Sequence, residues 1–269
     1  MNTLNPLEPF HAYMLGFIYG DGSLSKLADN RKKGKLEIEI QQGDDELLYL
    51  FQSAIPKKSV IRTRERVTNF SSGRVYRSTV LTIHDWAFRE ELNRLGVPFG
   101  KKSDILVPPK VAYSKRDFWR GVLDADGSLG LTSNGLPFVS FVTKSAQMAQ
   151  DYLVMSWQAT KKARECTRNA RDGVFNLMIM LEDAQALVRY LYYPGAVALG
   201  RKAAKAAEVL EWVRPDGMKM KSPGSVHKWS DGDVAYLLGH TNEEAVKHLG
   251  VSMEAAKQKR NKVLRRARV

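Results

Sequence analysis

With 269 residues, 43% hydrophobic and 26% charged, and a formal net charge of +13, the chain has the composition of an ordinary globular protein but more basic charge than solubility requires. Such an excess points to a polyanionic partner, most often nucleic acid. The single cysteine, Cys166, excludes an intramolecular disulfide and a cysteine-based zinc site, and no apolar run reaches the ~18 residues that span a bilayer, so no membrane partner is expected.

Taken in chain order, "FHAYMLGFIYG" reads as a helix that ends in Asp21-Gly22-Ser23. "KLEIEIQQ" alternates apolar and polar residues, the pattern of a strand with one buried face. "DDELLYLFQSAI" has a capping acid and helical spacing. "SVIRTRERV" and "RVYRSTVLTIHD" read as two more strands, basic on one face, and "DWAFREELNRLGV" as a helix closed by Gly96. The order then begins again. "SKRDFWRGVLDA" is a helix ending before Asp126, and "DGSLGLTSNGLPFVSFVT" offers a hairpin at Asn134-Gly135. "SAQMAQDYLVMSW" is a helix capped by Ser145, "KARECTRNA" and "VFNLMIML" are expected strands joined at Asp172-Gly173, and "EDAQALVRYLYY" is the next helix.

This internal repeat predicts two pseudo-symmetric αββαββα units in an α+β fold, residues 1–105 and 106–213, whose two antiparallel sheets form a saddle. The expected DNA-facing side carries Arg62, Arg64, Arg66, Arg74 and Arg77 in the first unit, and Arg164, Arg168 and Arg171 in the second.

The two motif helices share a further pattern. Gly16 and Gly20 stand four apart in one, Gly121 and Ala125 in the other, so each helix has a small-residue face. Glycine in a helix costs about 1 kcal/mol against alanine. A backbone passing close by would repay it, so the helices are expected to pack together on these faces, with Phe17, Ile18, Val122 and Leu123 pointing into the cores. Asp21 and Asp126 would then meet at the helix C-termini, where the dipole has the wrong sign for them. Two carboxylates so placed suit a hard divalent cation, and a cation beneath a basic saddle suits phosphodiester hydrolysis.

"MLGFIYGDG" and "WRGVLDADG" resemble the paired signature helices of LAGLIDADG homing endonucleases of the single-chain class, a resemblance covering about residues 9 to 213. It implies a monomer acting as a pseudo-dimer, without an obligate protein partner. It further implies cleavage of both strands of a long double-stranded DNA target, leaving short 3′ overhangs. The implied cofactor is Mg2+, with Mn2+ substituting and Ca2+ binding without cleavage. The metal acids would be Asp21 and Asp126, joined by the carbonyls of Gly20 and Ala125. Gln42 and Thr143 match the polar residues that organise water and phosphate, with Gln41 and Lys144 as neighbours. Lys102 and Lys202, in the echoing "GKKS" and "GRKA", match a basic residue near the metals. The sixth motif position departs between copies, Tyr19 in one and Asp124 in the other. A transcription regulator on an inactivated core, or an RNA maturase, would share this fold. Retention of both acids favours the nuclease.

Residues 214–227 read as a Pro-, Gly- and Lys-rich linker to an all-α unit at 228–269. There Ser230, Thr241 and Ser252 are expected N-caps, and "EEAVKHLGVSMEAAKQKRNKV" has the helix-turn-helix pattern. From Lys257 onward the chain has seven basic residues and no acid. Its last helix is expected to enter a major groove through Ser252, Met253, Lys257 and Arg260. Nothing at the start of the chain reads as a leader peptide, so the expected location is intracellular: cytoplasm, nucleoid or an organelle interior.

Overall fold

The computed structural model describes residues 3–26, 33–55, 57–67, 75–218 and 227–266. Two compact units form, Met1–Val213 and Arg214–Val269.

In the first unit the chain runs α1 (Pro9–Asp21), β1 (Gly22–Leu24), β2 (Leu36–Gln41), α2 (Glu46–Ala54), β3 (Ser59–Val67), β4 (Val75–Ile83) and α3 (Trp86–Arg94). It continues through α4 (Lys115–Asp126), β5 (Ser128–Leu131), β6 (Pro137–Thr143), α5 (Ala146–Thr160), β7 (Phe175–Met180), α6 (Leu181–Leu191) and α7 (Gly200–Glu211). All strands pair antiparallel, in the orders β1-β2-β4-β3 and β5-β6-β7.

Alternation explains the sheets. On β2, Leu36, Ile38 and Ile40 are buried and the polar residues between them are not. On β6, Val139 and Phe141 do the same against Phe138, Ser140 and Val142. The hairpin expected at Asn134-Gly135 is present: Gly135 has φ +71° and donates its N–H to the Thr132 carbonyl at 2.8 Å. Asp85 caps α3 by accepting from Phe88 N, and Ser145 caps α5 by accepting from Met148 N.

The motif helices α1 and α4 form the centre of the unit, in direct backbone contact. A methyl added at Gly16 would lie 1.9 Å from the Phe118 carbonyl oxygen, and one at Gly121 would lie 2.1 Å from that of Tyr13. Only a residue without a side chain fits at either crossing. Around this seam lies one continuous core that includes Phe17, Ile18, Phe51, Phe118, Trp119, Leu123 and Phe141.

Two expectations fail: the capping acid expected at the start of α2 makes no side-chain cap hydrogen bond at Asp45, and one expected strand is absent. The segment "KARECTRNA" is not a strand; it contributes one isolated bridge, Arg168 to Phe175, and leaves the second sheet with three strands. Few of its residues favour a pleated, half-buried surface, and α5 ends just before it in a left-handed cap at Lys161. Conversely, α7 is an additional helix, and its first turn carries Arg201 and Lys202.

The second unit holds α8 (Asp231–Gly239), α9 (Asn242–Leu249) and α10 (Met253–Arg266) around Leu237, Ala245, Val251 and Ala256. Reciprocal capping boxes open α8 (Ser230 with Asp233) and α9 (Thr241 with Glu244). Gly250, with φ +65°, closes α9, and Ser252 accepts from Ala255 N at the start of α10.

Candidate active site

Asp21 is the last residue of α1, and Asp126 is the last of α4. Their helices meet so closely that a methyl added at Gly20 would lie 2.4 Å from Ala125 Cβ and 3.3 Å from the Asp126 carboxyl. Each acid therefore sits against the other helix's end. Loss of water, and then the charge of Asp126, push the Asp21 pKa up to about 6 against the pull of Lys102, Arg201 and Lys202. Asp126 opens to solvent on one side, yet the packed helix ends strip enough water to raise its pKa, while Lys102 and Lys202 oppose the rise.

Acids at helix C-termini need compensation, and the two lysines supply it. Lys102 Nζ donates to the carbonyls of Ile18 (3.1 Å), Gly20 and Gly22 (2.5 Å) at the end of α1. Lys202 Nζ donates to those of Leu123 (3.2 Å) and Gly127 (2.5 Å) at the end of α4. Each ammonium thus caps a negative helix end and sits within electrostatic reach of both carboxylates. Desolvation lowers the Lys102 pKa to about 8, with Asp126 and Asp21 pulling it back up. The Gly20 carbonyl is one of the Lys102 acceptors, which leaves it one lone pair for any cation.

A cavity of about 230 Å³ opens beside Asp126, lined also by Gly20, Lys102, Thr143 and Lys144 among others, and Asp21 does not line it. Thr143 ends β6, and its hydroxyl accepts from Ser145 N at 3.1 Å. Gln42 is exposed in the turn after β2, where its N–H bonds the Arg77 carbonyl, and it does not line this cavity. Gln41 is the exposed last residue of β2, and Lys101 pairs with the nearby Asp104.

Among the described residues, no cluster of three or more His, Cys, Asp or Glu side chains is arranged to hold a metal. The donor set is two carboxylates. It fits Mg2+, which binds through one or two carboxylates and takes the rest of its shell from waters and substrate phosphates. Asp126, open to solvent, faces where such ligands arrive.

The arginine-bearing sheet differs from expectation. Arg62, Arg64 and Arg66 share the open face of β3, but β3–β4 pairing sets Arg64 opposite Ser78, which puts Arg77 on the other face. There Arg77 bonds Glu65 at 2.6 Å. The open face also carries acids: Glu39 accepts from Arg64 (2.9 Å), Arg66 (2.8 Å) and Ser78 (2.6 Å), and Glu37 lies 3.5 Å from Arg64. Arg74 lies outside the described residues. In the second sheet, the expected basic strand is absent, and its arginines serve elsewhere. Arg164 is bound to Asp183 (2.7 Å) and Thr160 (2.7 Å), Arg168 lies over the Phe175 ring, and Arg171 pairs with its neighbour Asp172. In the three-helix unit Ser252 and Lys257 are exposed, but Arg260 is spent internally, donating to Asn242 Oδ1 and the His240 carbonyl.

Two features escaped sequence reasoning. Asp124, fully buried, accepts from Tyr13 (2.8 Å), Tyr192 (2.6 Å) and Leu199 N (2.8 Å), tying α4 to α1 and to the start of α7. Its motif counterpart Tyr19 donates to the Leu95 carbonyl at 2.7 Å. The same position in each helix thus anchors the segment that leads to its lysine, by different chemistry. Second, Arg201 Nε bonds Asp44 Oδ2 at 2.7 Å, linking α7 to the turn after β2. Arg201→Gln and Asp44→Asn should each lower stability by about 1 kcal/mol, and the double change by no more than either, because both delete the same contact. Urea unfolding of the four proteins measures this coupling.

No protein-family profile matches the chain, and no curated protein matches it. Solved structures do. The homing endonuclease I-WcaI, bound to its DNA recognition sequence, superposes with a TM-score of 0.52 at 13% identity, over 78% of this chain and 89% of that one. Mesophilic variants of the homing endonuclease I-DmoI superpose with a TM-score of 0.50 at 17% identity, over 74% and 97%. A structure of I-DmoI with DNA and Ca matches at 0.47 and 17% identity, over 74% and 97%. The chain therefore has the fold of homing endonucleases of known structure.

Proposed function

We propose that this protein is a site-specific DNA endonuclease that cuts both strands of a long duplex target with a divalent cation, leaving short 3′ overhangs. One observation carries the reading: Asp21 and Asp126 end two helices in backbone contact, each helix end capped by an ammonium. A paired acid site of this kind is poor for stability and good for holding a cation against a phosphate. The protein's two halves act as a pseudo-dimer within one chain, with the open faces of the two sheets toward DNA.

Asp21 and Asp126 would hold the cation, Mg2+ or Mn2+. Bound there, it supplies a Lewis acid for the phosphate and an activated water. The chain does the rest. Lys102 and Lys202 fix the helix ends and offset the acids' mutual repulsion before any cation arrives. Thr143 and Lys144 line the cavity, and a hydroxyl and an ammonium, the latter shared with Asp104 at 3.7 Å, suit water and a phosphate oxygen. The basic excess of the chain draws the duplex in.

The test is a cleavage assay on a randomised duplex library. Cleavage of a discrete set of sites with Mg2+ or Mn2+, and none without, supports the reading; binding without cleavage under every divalent cation rejects it. We further propose that α9 and α10 form a helix-turn-helix that adds DNA contacts through Ser252 and Lys257. Deleting residues 222–269 should weaken affinity for the cleaved site by roughly tenfold to a hundredfold, as loss of a tethered second module does. The Mg2+ requirement should be unchanged. Fluorescence anisotropy of both proteins measures the difference.

A further inference from the structure

The two sheets present opposite chemistry on their open faces. On the first sheet that face carries Arg62, Arg64 and Arg66 from β3, interleaved with Glu37 and Glu39 from β2. On the second, the corresponding face of β6 and β7 consists of Phe138, Ser140, Val142, Asn176, Met178 and Met180. None of these six is ionisable. Val142 and Met178 are 49% and 51% exposed. The difference follows from the missing strand. Where the first half has the outer, arginine-bearing β3, the second has the segment that forms only one bridge, its arginines turned to Asp183, Phe175 and Asp172.

An uncharged strip half open to water requires a partner that rewards it. Its surroundings identify one. Lys144, at the end of β6, and Arg171, in the turn before β7, are exposed at 51% and 85% of their side chains. Each has an acid beside it, Asp104 and Asp172, but the exposed Arg168, which donates to the Lys144 carbonyl, leaves this rim with three cations against two acids around a neutral floor, complementary to a DNA groove whose phosphates flank base edges. In the major groove the only apolar group a base pair offers is the thymine methyl. At about 3.3 Å per residue the seven residues of β6 span about 23 Å, close to six or seven base pairs at 3.4 Å. Val142, at one end of the strip, also lines the cavity beside Asp126.

We propose that the two halves read their half-sites by different chemistry: the β2–β3 face by hydrogen bonds from arginines held in place by Glu37 and Glu39, and the β6–β7 face by apolar contact of Val142 and Met178 with thymine methyls. This rests on the proposed function and adds the substrate preference of one half. A carboxylate between two guanidinium groups fixes their donors at the cost of net charge, so the first half suits polar edges such as guanine. The β6–β7 strip carries no charged donor among its six residues and gains most from burying a methyl.

The experiment uses the full chain and a duplex selected from the randomised library. Deoxyuridine, which lacks the 5-methyl group, replaces thymidine in one half-site at a time. In the half read by β6–β7, each replaced thymine should weaken binding by about fourfold, the worth of one buried methyl; in the other half the loss should stay below about twofold. Val142→Ala with Met178→Ala should abolish that penalty, which assigns the half-site, while Arg64→Ala should relax base preference only in the opposite half. Equal uridine penalties in both halves, or a penalty untouched by the double substitution, overturn the inference while leaving the endonuclease reading intact. A DNA-free dimer broken by Met178→Lys would assign the strip to a second copy instead. Failure to bind any duplex overturns both.

Discussion

Asp21→Asn or Asp126→Asn should abolish double-strand cleavage, by roughly three orders of magnitude or more, while DNA binding survives. The loss reflects removal of one of the two carboxylates that the described residues offer the cation, and with it several kcal/mol of charge stabilisation at the reacting phosphate. Binding survives because the open sheet faces and the basic rim are untouched. The same change should have an opposite effect on the folded chain. Asp21 has a folded pKa of about 6, above its unfolded value, so its ionised form is disfavoured by folding. That penalty is fully present above pH 6, shrinks as pH falls through 6, and vanishes below about pH 4, where the carboxyl is neutral folded or unfolded. Asparagine removes it. Without divalent metal at pH 7, Asp21→Asn should therefore be more stable than the parent by about 2 kcal/mol, with no gain near pH 4. Calorimetry at both pH values, beside a cleavage assay, checks the pair of effects. A variant that loses cleavage and stability together would make Asp21 an ordinary structural residue.

The elements that could be read from sequence are those whose signals are local and repeated. The motif helices, the Asn134-Gly135 hairpin and the caps at Ser145, Ser230 and Thr241 each follow from a few neighbouring residues. The acid pair was legible because small residues at spacing four dictate how closely two helices can approach. The failures concern quantities that no local window contains. Arg77 was placed with Arg62 because both look basic in a strand, but its face depends on β3–β4 register. Glu37 and Glu39 sit beside the arginines because β4, adjacent to both β2 and β3, sets all three strands in phase. "KARECTRNA" reads as a strand only by its place in the repeat, since its apolar residues, Ala163, Cys166 and Ala170, do not alternate. Its arginines instead find partners, such as Asp183, that are distant in sequence. Repetition flagged Lys102 and Lys202, but only the fold shows that they cap the motif helices.

Gly121→Ala should be among the most damaging single-methyl changes at the described residues. In a free helix it would be favourable by about 1 kcal/mol. Here the methyl would fall 2.1 Å from the Tyr13 carbonyl oxygen and 2.7 Å from the Phe17 nitrogen, both backbone atoms of α1. Neither can rotate away as a side chain could, so α1 and α4 must part, and the core on both sides of the seam opens with them. Overpacking typically costs 1–3 kcal/mol where side chains can yield; with backbone on both sides the net loss should reach about 3 kcal/mol or more. Gly16→Ala should behave alike, its methyl 1.9 Å from the Phe118 carbonyl oxygen. Function should fail sooner than folding. Asp21 and Asp126 lie one turn beyond these crossings, so parting the helices separates the two acids and loosens the carbonyls held by Lys102 and Lys202. Gly200→Ala is the control: nothing lies within 4 Å of the added methyl, and its stability should equal or exceed the parent's. Urea midpoints and cleavage rates for the three variants decide the matter. A Gly121→Ala protein with normal stability and activity would mean that the helices do not meet backbone to backbone, and the paired-acid site would lose its physical basis.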